Sequence, residues 1–128
     1  MLVATTPAGE LHELGAMVVS VLALTAGWRV TYLGPSLPAG EIVRTAWRLD
    51  ASVVALSVVN DELIDRAARE IGELSEALPA GTRLLVGGRA AAAGEQRMTQ
   101  AGARVITDLG TLHDLLHSPE RLRARVDA

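Results

Sequence analysis

A chain of 128 residues with a formal charge of −3 is long enough for one domain with a real core and too short for two. Its apolar residues, 49% of the total, are mainly Ala, Val and Leu, with Trp28, Tyr32 and Trp47 as the only aromatics, which suits helices packed closely on a parallel sheet and excludes ligand stacking between aromatic walls. The acidic balance argues against a nucleic-acid-binding face, and the absence of cysteine excludes disulfides, thiolate sites and iron–sulfur clusters.

Short β-rich runs alternate with longer helical ones. Residues 2–5 (Leu-Val-Ala-Thr) read as a first strand, and Pro7 to Glu10 as a loop. The spacing predicts a helix from about His12 to Ala26, with Leu14, Val18, Val21 and Leu22 on one face, ended by Gly27. Residues 29–33 form a second strand closed by Gly34-Pro35, and Pro38 opens a helix to Leu49. Residues 52–57 are a continuous apolar strand, and Asn60 or Asp61 caps a helix to about Ala77. A fourth strand spans 83–87, a fourth helix 90–101, a fifth strand 104–106 and a last helix 109–117; Gly94 weakens the start of the fourth helix.

Leu14 to Trp28 is uncharged but falls short of the roughly 18–20 residues that cross a bilayer, so a buried helix is expected. No basic, signal-like N-terminal run precedes it, and a cytoplasmic protein is expected. Arg121, Arg123 and Arg125 alternate with acidic residues and read as a solvated helical tail, giving one domain over 1–118 and a charged tail over 119–128.

Five strands alternating with five helices imply an α/β, flavodoxin-like (Rossmann-like) doubly wound parallel sheet of order 2-1-3-4-5. Ligands in such sheets bind beyond the carboxyl ends of the strands. Three unusual segments fall there. Glu10-Leu11-His12-Glu13-Leu14-Gly15 leaves strand 1, Ser57 ends strand 3 and Gly87-Gly88 ends strand 4. Singly, each has a plain structural explanation: a first-turn histidine, a hydroxyl turn or cap, a tight βα turn. Together, at neighbouring strand ends, they describe a site. A carboxylate two residues before a histidine can fix its tautomer and raise its basicity as a metal ligand, and a glycine three residues after it admits a close ligand.

Other chemistries of this fold lack their residues. A phospho-acceptor receiver needs acidic groups where Thr5-Thr6 and Ser57 stand, and a lysine at Thr107. The loop after strand 1 is a poor flavin-phosphate cradle, and no GxGxxG or Walker-type loop occurs. His113 and His117 have zinc-compatible spacing but no third ligand in sight.

The chain resembles cobalamin (vitamin B12)-binding domains, whose signature is D/E-x-H-x-x-G, then S-x-L or a variant, then Gly-Gly. The matching positions are Glu10-x-His12-x-x-Gly15, Ser57-Val58-Val59 and Gly87-Gly88, in order and across essentially the whole chain. The resemblance implies cobalamin as cofactor, whether adenosyl-, methyl- or hydroxocobalamin. It implies His12 as the lower axial cobalt ligand in place of the cofactor's own dimethylbenzimidazole, with Glu10 behind it. It also implies a slot for the displaced nucleotide tail, lined by Ser57, Val58, Val59, Gly87 and Gly88, with Gly15 giving room beside the corrin.

Glu in the first motif, its Gly9-to-Gly15 context and Tyr32-Leu33-Gly34-Pro35 are most similar to the C-terminal sensory domain of MerR-type, light-responsive cobalamin-dependent regulators. Those regulators carry a winged DNA-binding domain and a four-helix bundle ahead of this domain. With strand 1 expected to begin at residue 2, no counterpart of either is expected in this sequence, and no upper axial ligand or light switch is assigned to a residue. The expected function is a non-catalytic cobalamin-binding sensory module of a transcriptional regulator, without nucleic-acid or membrane contact of its own. Its open corrin face would be covered by self-association or by separate bundle and DNA-binding domains. The alternatives are the corrinoid-carrying domain of a methyltransferase or mutase, and a ligand-free interaction domain with a degenerate site.

Overall fold

The computed structural model describes residues 1–123. Five strands, β1 (Leu2–Thr5), β2 (Val30–Tyr32), β3 (Val53–Ser57), β4 (Arg83–Gly87) and β5 (Arg104–Ile106), form one all-parallel sheet in the order β2-β1-β3-β4-β5. The expected order is the observed one. Every residue of β1 and β3 is buried, because helices cover both faces of a parallel sheet and leave no polar side to alternate with.

The helices are α1 (Leu14–Thr25), α2 (Ala39–Leu49), α3 (Ile64–Ala77), α4 (Arg89–Ala93), α5 (Glu95–Ala101), α6 (Leu109–His117) and α7 (Pro119–Arg123). On one face Leu2, Ala4, Val53, Ala55, Leu85 and Ile106 pack with α1 and α6, through Ala23, Leu112, Leu115 and Leu116. On the other, Val3, Val54, Leu56, Leu84 and Val86 meet α2 and α3, through Ile42, Ala46, Ile71 and Leu74, and the α4–α5 pair through Ala90 and Met98. The alternation of the strand residues sorts them between these two layers.

Three expectations are corrected. The first helix begins at Leu14, not His12, which frees the histidine to sit in the loop. Its buried face is Ala16, Ser20 and Ala23, whereas Leu14 and Val21 are exposed, at 73% and 58%. Small side chains let α1 lie close on the sheet, so the large ones are left outside, and the helix is not the buried one expected. The fourth helix is two, α4 and α5, broken at Gly94.

The segment expected as a tail carries α7 through Arg123. Its Leu122 is buried, and the carbonyl of Leu122 accepts from Arg83 Nε at 3.0 Å. Residues 124–128, including Arg125, lie outside the described residues.

Candidate functional site

The loop after β1 is laced to the loop after β2. Thr5 Oγ1 donates to the Gly34 carbonyl at 2.7 Å, and Thr6 Oγ1 donates to the Glu10 carbonyl at 2.5 Å. The amide of Ser36 donates to Thr6 Oγ1 at 2.7 Å, and Ser36 Oγ accepts from the Gly9 amide at 3.0 Å. Leu37 N donates to the Thr6 carbonyl at 3.0 Å. These bonds satisfy polar groups that burial would otherwise leave unpaired, and they fix the path of the chain into Glu10.

Glu10 is the most unusual side chain here: a carboxylate only 1% exposed. One oxygen, Oε1, accepts the backbone N–H of Val59 and that of Asn60, the latter at 2.8 Å. The other, Oε2, accepts from His12 Nδ1 at 2.9 Å and from the His12 amide at 3.4 Å. Burial alone pushes the Glu10 carboxyl up. The hydrogen bonds from Asn60, the His12 ring, and the amides of Val59 and His12 outweigh it, so its pKa lies below the ordinary value. An ionised carboxylate is acceptor-only, so it makes Nδ1 the donor nitrogen of the neutral His12 ring and leaves Nε2 as a lone pair for a ligand. The His12 side chain is 67% exposed.

Beside His12 a cavity of about 530 Å³ runs between the sheet and helices α1 and α6, within the usual ~300–1,000 Å³ range of small-molecule pockets. Its floor is set by register. Ser57 pairs with Gly87 and Gly87 with Ile106, two residues beyond the pairing of Ala55 with Leu85 and so on the same face. Ser57 and Gly87, being small, sink the floor below the level of the large side chains around it, Leu85 and Ile106 among them. Val18 and Val19 of α1 and Leu112 of α6 form the walls.

Two glycines shape the cavity differently. A Cβ on Gly15 would stand 2.5 Å from Ser57 Oγ, so the first turn of α1 can approach the hydroxyl only because Gly15 has no side chain. Gly88 has φ +100°, and its Cβ would meet the Val58 carbonyl oxygen at 2.4 Å. That carbonyl accepts the Ala90 amide at 3.1 Å, so Gly88 makes the turn by which β4 enters α4.

Of the residues singled out in the sequence, His12, Gly15, Ser57, Val59, Gly87 and Gly88 meet around this one cavity. Glu10 stands behind His12 rather than in the cavity wall. Val58 does not line it: fully buried, it belongs to the core on the opposite face of the sheet, because side chains alternate along an extended chain and Val58 follows Ser57. Sequence reasoning missed Thr6 and Ser36, which hold the histidine loop, and the α6 wall with Ile106 and Leu112. Two adjacent threonines at a strand end, both fully buried, were the available signal for the first. His113 and His117 stack with ring centroids 4.1 Å apart, and His117 Nδ1 bonds the His113 carbonyl at 2.8 Å. Among the described residues no cluster of three or more His, Asp or Glu could hold a metal ion.

A doubly wound sheet with an apolar slot at its carboxyl edge and one carboxylate-oriented imidazole beside it has the form of a ligand-binding domain. Comparison with known proteins gives the class its family: a B12 binding domain model matches residues 1–113, and the chain belongs to that family. It is therefore a cobalamin-binding domain.

It is 34% identical over 82 residues to the HTH-type transcriptional repressor CarH of Myxococcus xanthus, covering 64% of this chain and 27% of that protein. It is 27% identical over 85 residues to dimethylamine corrinoid protein 3 of Methanosarcina acetivorans, covering 65% of this chain and 39% of that one. The matched segment thus spans well under half the length of these curated relatives. The crystal structure of a cobalamin-binding protein from Desulfitobacterium hafniense superposes with a TM-score of 0.75 at 24% identity, covering 94% of this chain and 58% of that one. That likeness bears on the fold. No helix among the described residues is long and apolar enough to cross a membrane.

Proposed function

We propose that the chain holds cobalamin with its lower base displaced, His12 Nε2 ligating the cobalt from below, as a cytoplasmic sensory module of a transcriptional regulator. The observation that carries the binding mode is the buried Glu10 carboxylate on His12 Nδ1, beside a cavity whose volume of about 530 Å³ can take a displaced base. The residues fit the group. The imidazole presents a free lone pair at an exposed mouth, and the floor is cut by Ser57 and Gly87, where larger side chains would fill the space. When bound, cobalamin supplies cobalt–carbon chemistry that no side chain offers. The chain's own part is to orient His12 through Glu10 and to keep water from the slot with Val18, Val19 and Leu112.

The sensory reading is supported by the identity to CarH and by the Tyr32-to-Ser36 loop that anchors the histidine loop. The likeness to a dimethylamine corrinoid protein supports a second reading, a corrinoid-carrying domain that acts with a separate enzyme.

Mixing the purified chain with hydroxocobalamin tests the binding mode. Pigment should stay with the protein through gel filtration, with an absorption spectrum shifted to a histidine-ligated, base-off form. An unchanged spectrum in His12→Ala overturns the ligation. The neighbouring coding sequence separates the two roles: a helix-turn-helix and bundle upstream support the sensor, an adjacent methyltransferase or mutase subunit the carrier.

A further inference from the structure

Helix α1 is apolar on both sides. Ala16, Ser20 and Ala23 face the sheet, while on the far side Leu14, Met17, Val21 and Leu24 are each 43–73% exposed. The helices on the other face of the sheet turn charges outward, Glu41, Arg44 and Arg48 from α2 and Asp65, Arg69 and Glu73 from α3, as surface helices ordinarily do. Leu14–Thr25 contains no charged residue at all.

The spacing of the four exposed residues defines the surface that they fit. Steps of three, four and three put them at successive a and d positions of a heptad, a narrow seam that packs against one other helix. With Leu11, exposed just ahead of the helix, the seam offers on the order of 500 Å² of apolar surface, a size at which such patches mark interaction sites. Two such seams together bury on the order of 1,000 Å², the lower bound for a specific interface.

Charge at the two ends favours a second copy of the same seam. Glu13 precedes α1, and the exposed Arg29 follows it. In an antiparallel pair the Glu13 end of each helix lies at the Arg29 end of the other, and the two helix dipoles oppose. A parallel pair stacks like charges and like ends. No charge lies within the seam to be buried unpaired.

We propose that α1 is the pairing surface between two copies of this chain, related by a two-fold axis with the helices antiparallel. Met17 of each copy packs against the partner's Val21, and Leu14 against the partner's Leu24. Leu14 also lines the slot, so the paired face begins at the rim of the site and runs away from it.

Sedimentation equilibrium of the ligand-free chain tests the pairing. The mean mass should rise from monomer towards dimer between ~1 and ~300 µM, as an interface near the lower size limit requires. Met17→Lys combined with Val21→Lys should hold the chain monomeric across that range, with an unchanged denaturant midpoint at the lowest concentration. The chain has no cysteine, so Leu14→Cys and Leu24→Cys chains, mixed and oxidised, report the direction. The disulfide joining one variant to the other should exceed the self-linked products ~10-fold, because a disulfide forms only across a short Cα separation. A chain still monomeric at the top of the range, or a dimer that persists in the combined Met17→Lys, Val21→Lys variant, overturns the proposal. Self-linked products in equal or greater amount overturn it too.

Discussion

Glu10 joins two loops that are far apart in sequence, since its oxygens bond His12 on one side and the amides of Val59 and Asn60 on the other. Glu10→Gln keeps the size but removes the charge, and one amide N–H must then face a donor. Cobalamin affinity should fall ~10–100-fold, as for other groups that orient a metal-bound histidine, read by titration at neutral pH. Because the folded pKa of Glu10 lies below its ordinary value, its stabilisation is complete above the ordinary carboxylate range and is lost as pH falls through the depressed folded value. Urea midpoints of the ligand-free protein should therefore drop over that acid interval, and less so in Glu10→Gln. The glycines separate site from scaffold. Gly15→Ala puts a methyl 2.5 Å from Ser57 Oγ, which a rotation of Ser57 relieves. The fold should survive, and cobalamin binding should weaken ~10-fold or more by titration, since Ser57 is displaced within the slot. Gly88→Ala combines a left-handed φ with backbone at 2.4 Å and should cost ~1–3 kcal/mol in chemical denaturation. Gly87→Ala meets the Ile106 carbonyl at an ordinary 3.4 Å and should leave stability near wild type. Gly87 is thus the position at which to probe the slot without disturbing the fold.

At the scale of elements, α1 is where sequence and structure part. The helix is apolar on every side, so periodicity could not choose a face, and the choice falls to the sheet, which takes Ala16, Ser20 and Ala23. Ala23→Leu should overpack that contact at ~1–3 kcal/mol, whereas Val21→Lys on the exposed side should stay within ~0.5 kcal/mol, both by denaturant titration. The strands were legible because a parallel sheet covered on both faces demands continuous apolar runs, and 2–5 and 53–57 are such runs. The candidate site was legible at Ser57 and Gly87-Gly88 because they fall at the carboxyl ends of β3 and β4, and at His12 because it lies in the loop that follows β1, where the fold itself puts ligands. Val58, within the same motif, does not line the cavity, because alternation along the extended chain sends its side chain to the far face. The lacing of Thr6 to Ser36 and the wall from α6 could not be read locally, since 30 residues separate Thr6 from Ser36 and 55 separate Ser57 from Leu112.

At the scale of the molecule, the sheet has two unlike ends. The carboxyl ends of β1, β3 and β4 carry the histidine loop and the slot. At the opposite end the Met1 carbonyl accepts from Ser52 N at 2.9 Å, the Ser52 carbonyl accepts from Arg83 N at 2.8 Å, and the Arg83 side chain reaches Leu122 at 3.0 Å. The first residue and α7 are therefore separated by little more than the width of β3 and β4, about 5 Å per strand. The molecule is accordingly suited to circular permutation. Joining Met1 to Arg123 by a short linker and reopening the chain between Ala80 and Gly81, both exposed, leaves every loop at the ligand end covalently intact. Such a permutant should melt at a lower temperature yet bind cobalamin within ~3-fold of the parent. The order in which the chain runs would then be separable from the pocket that it builds.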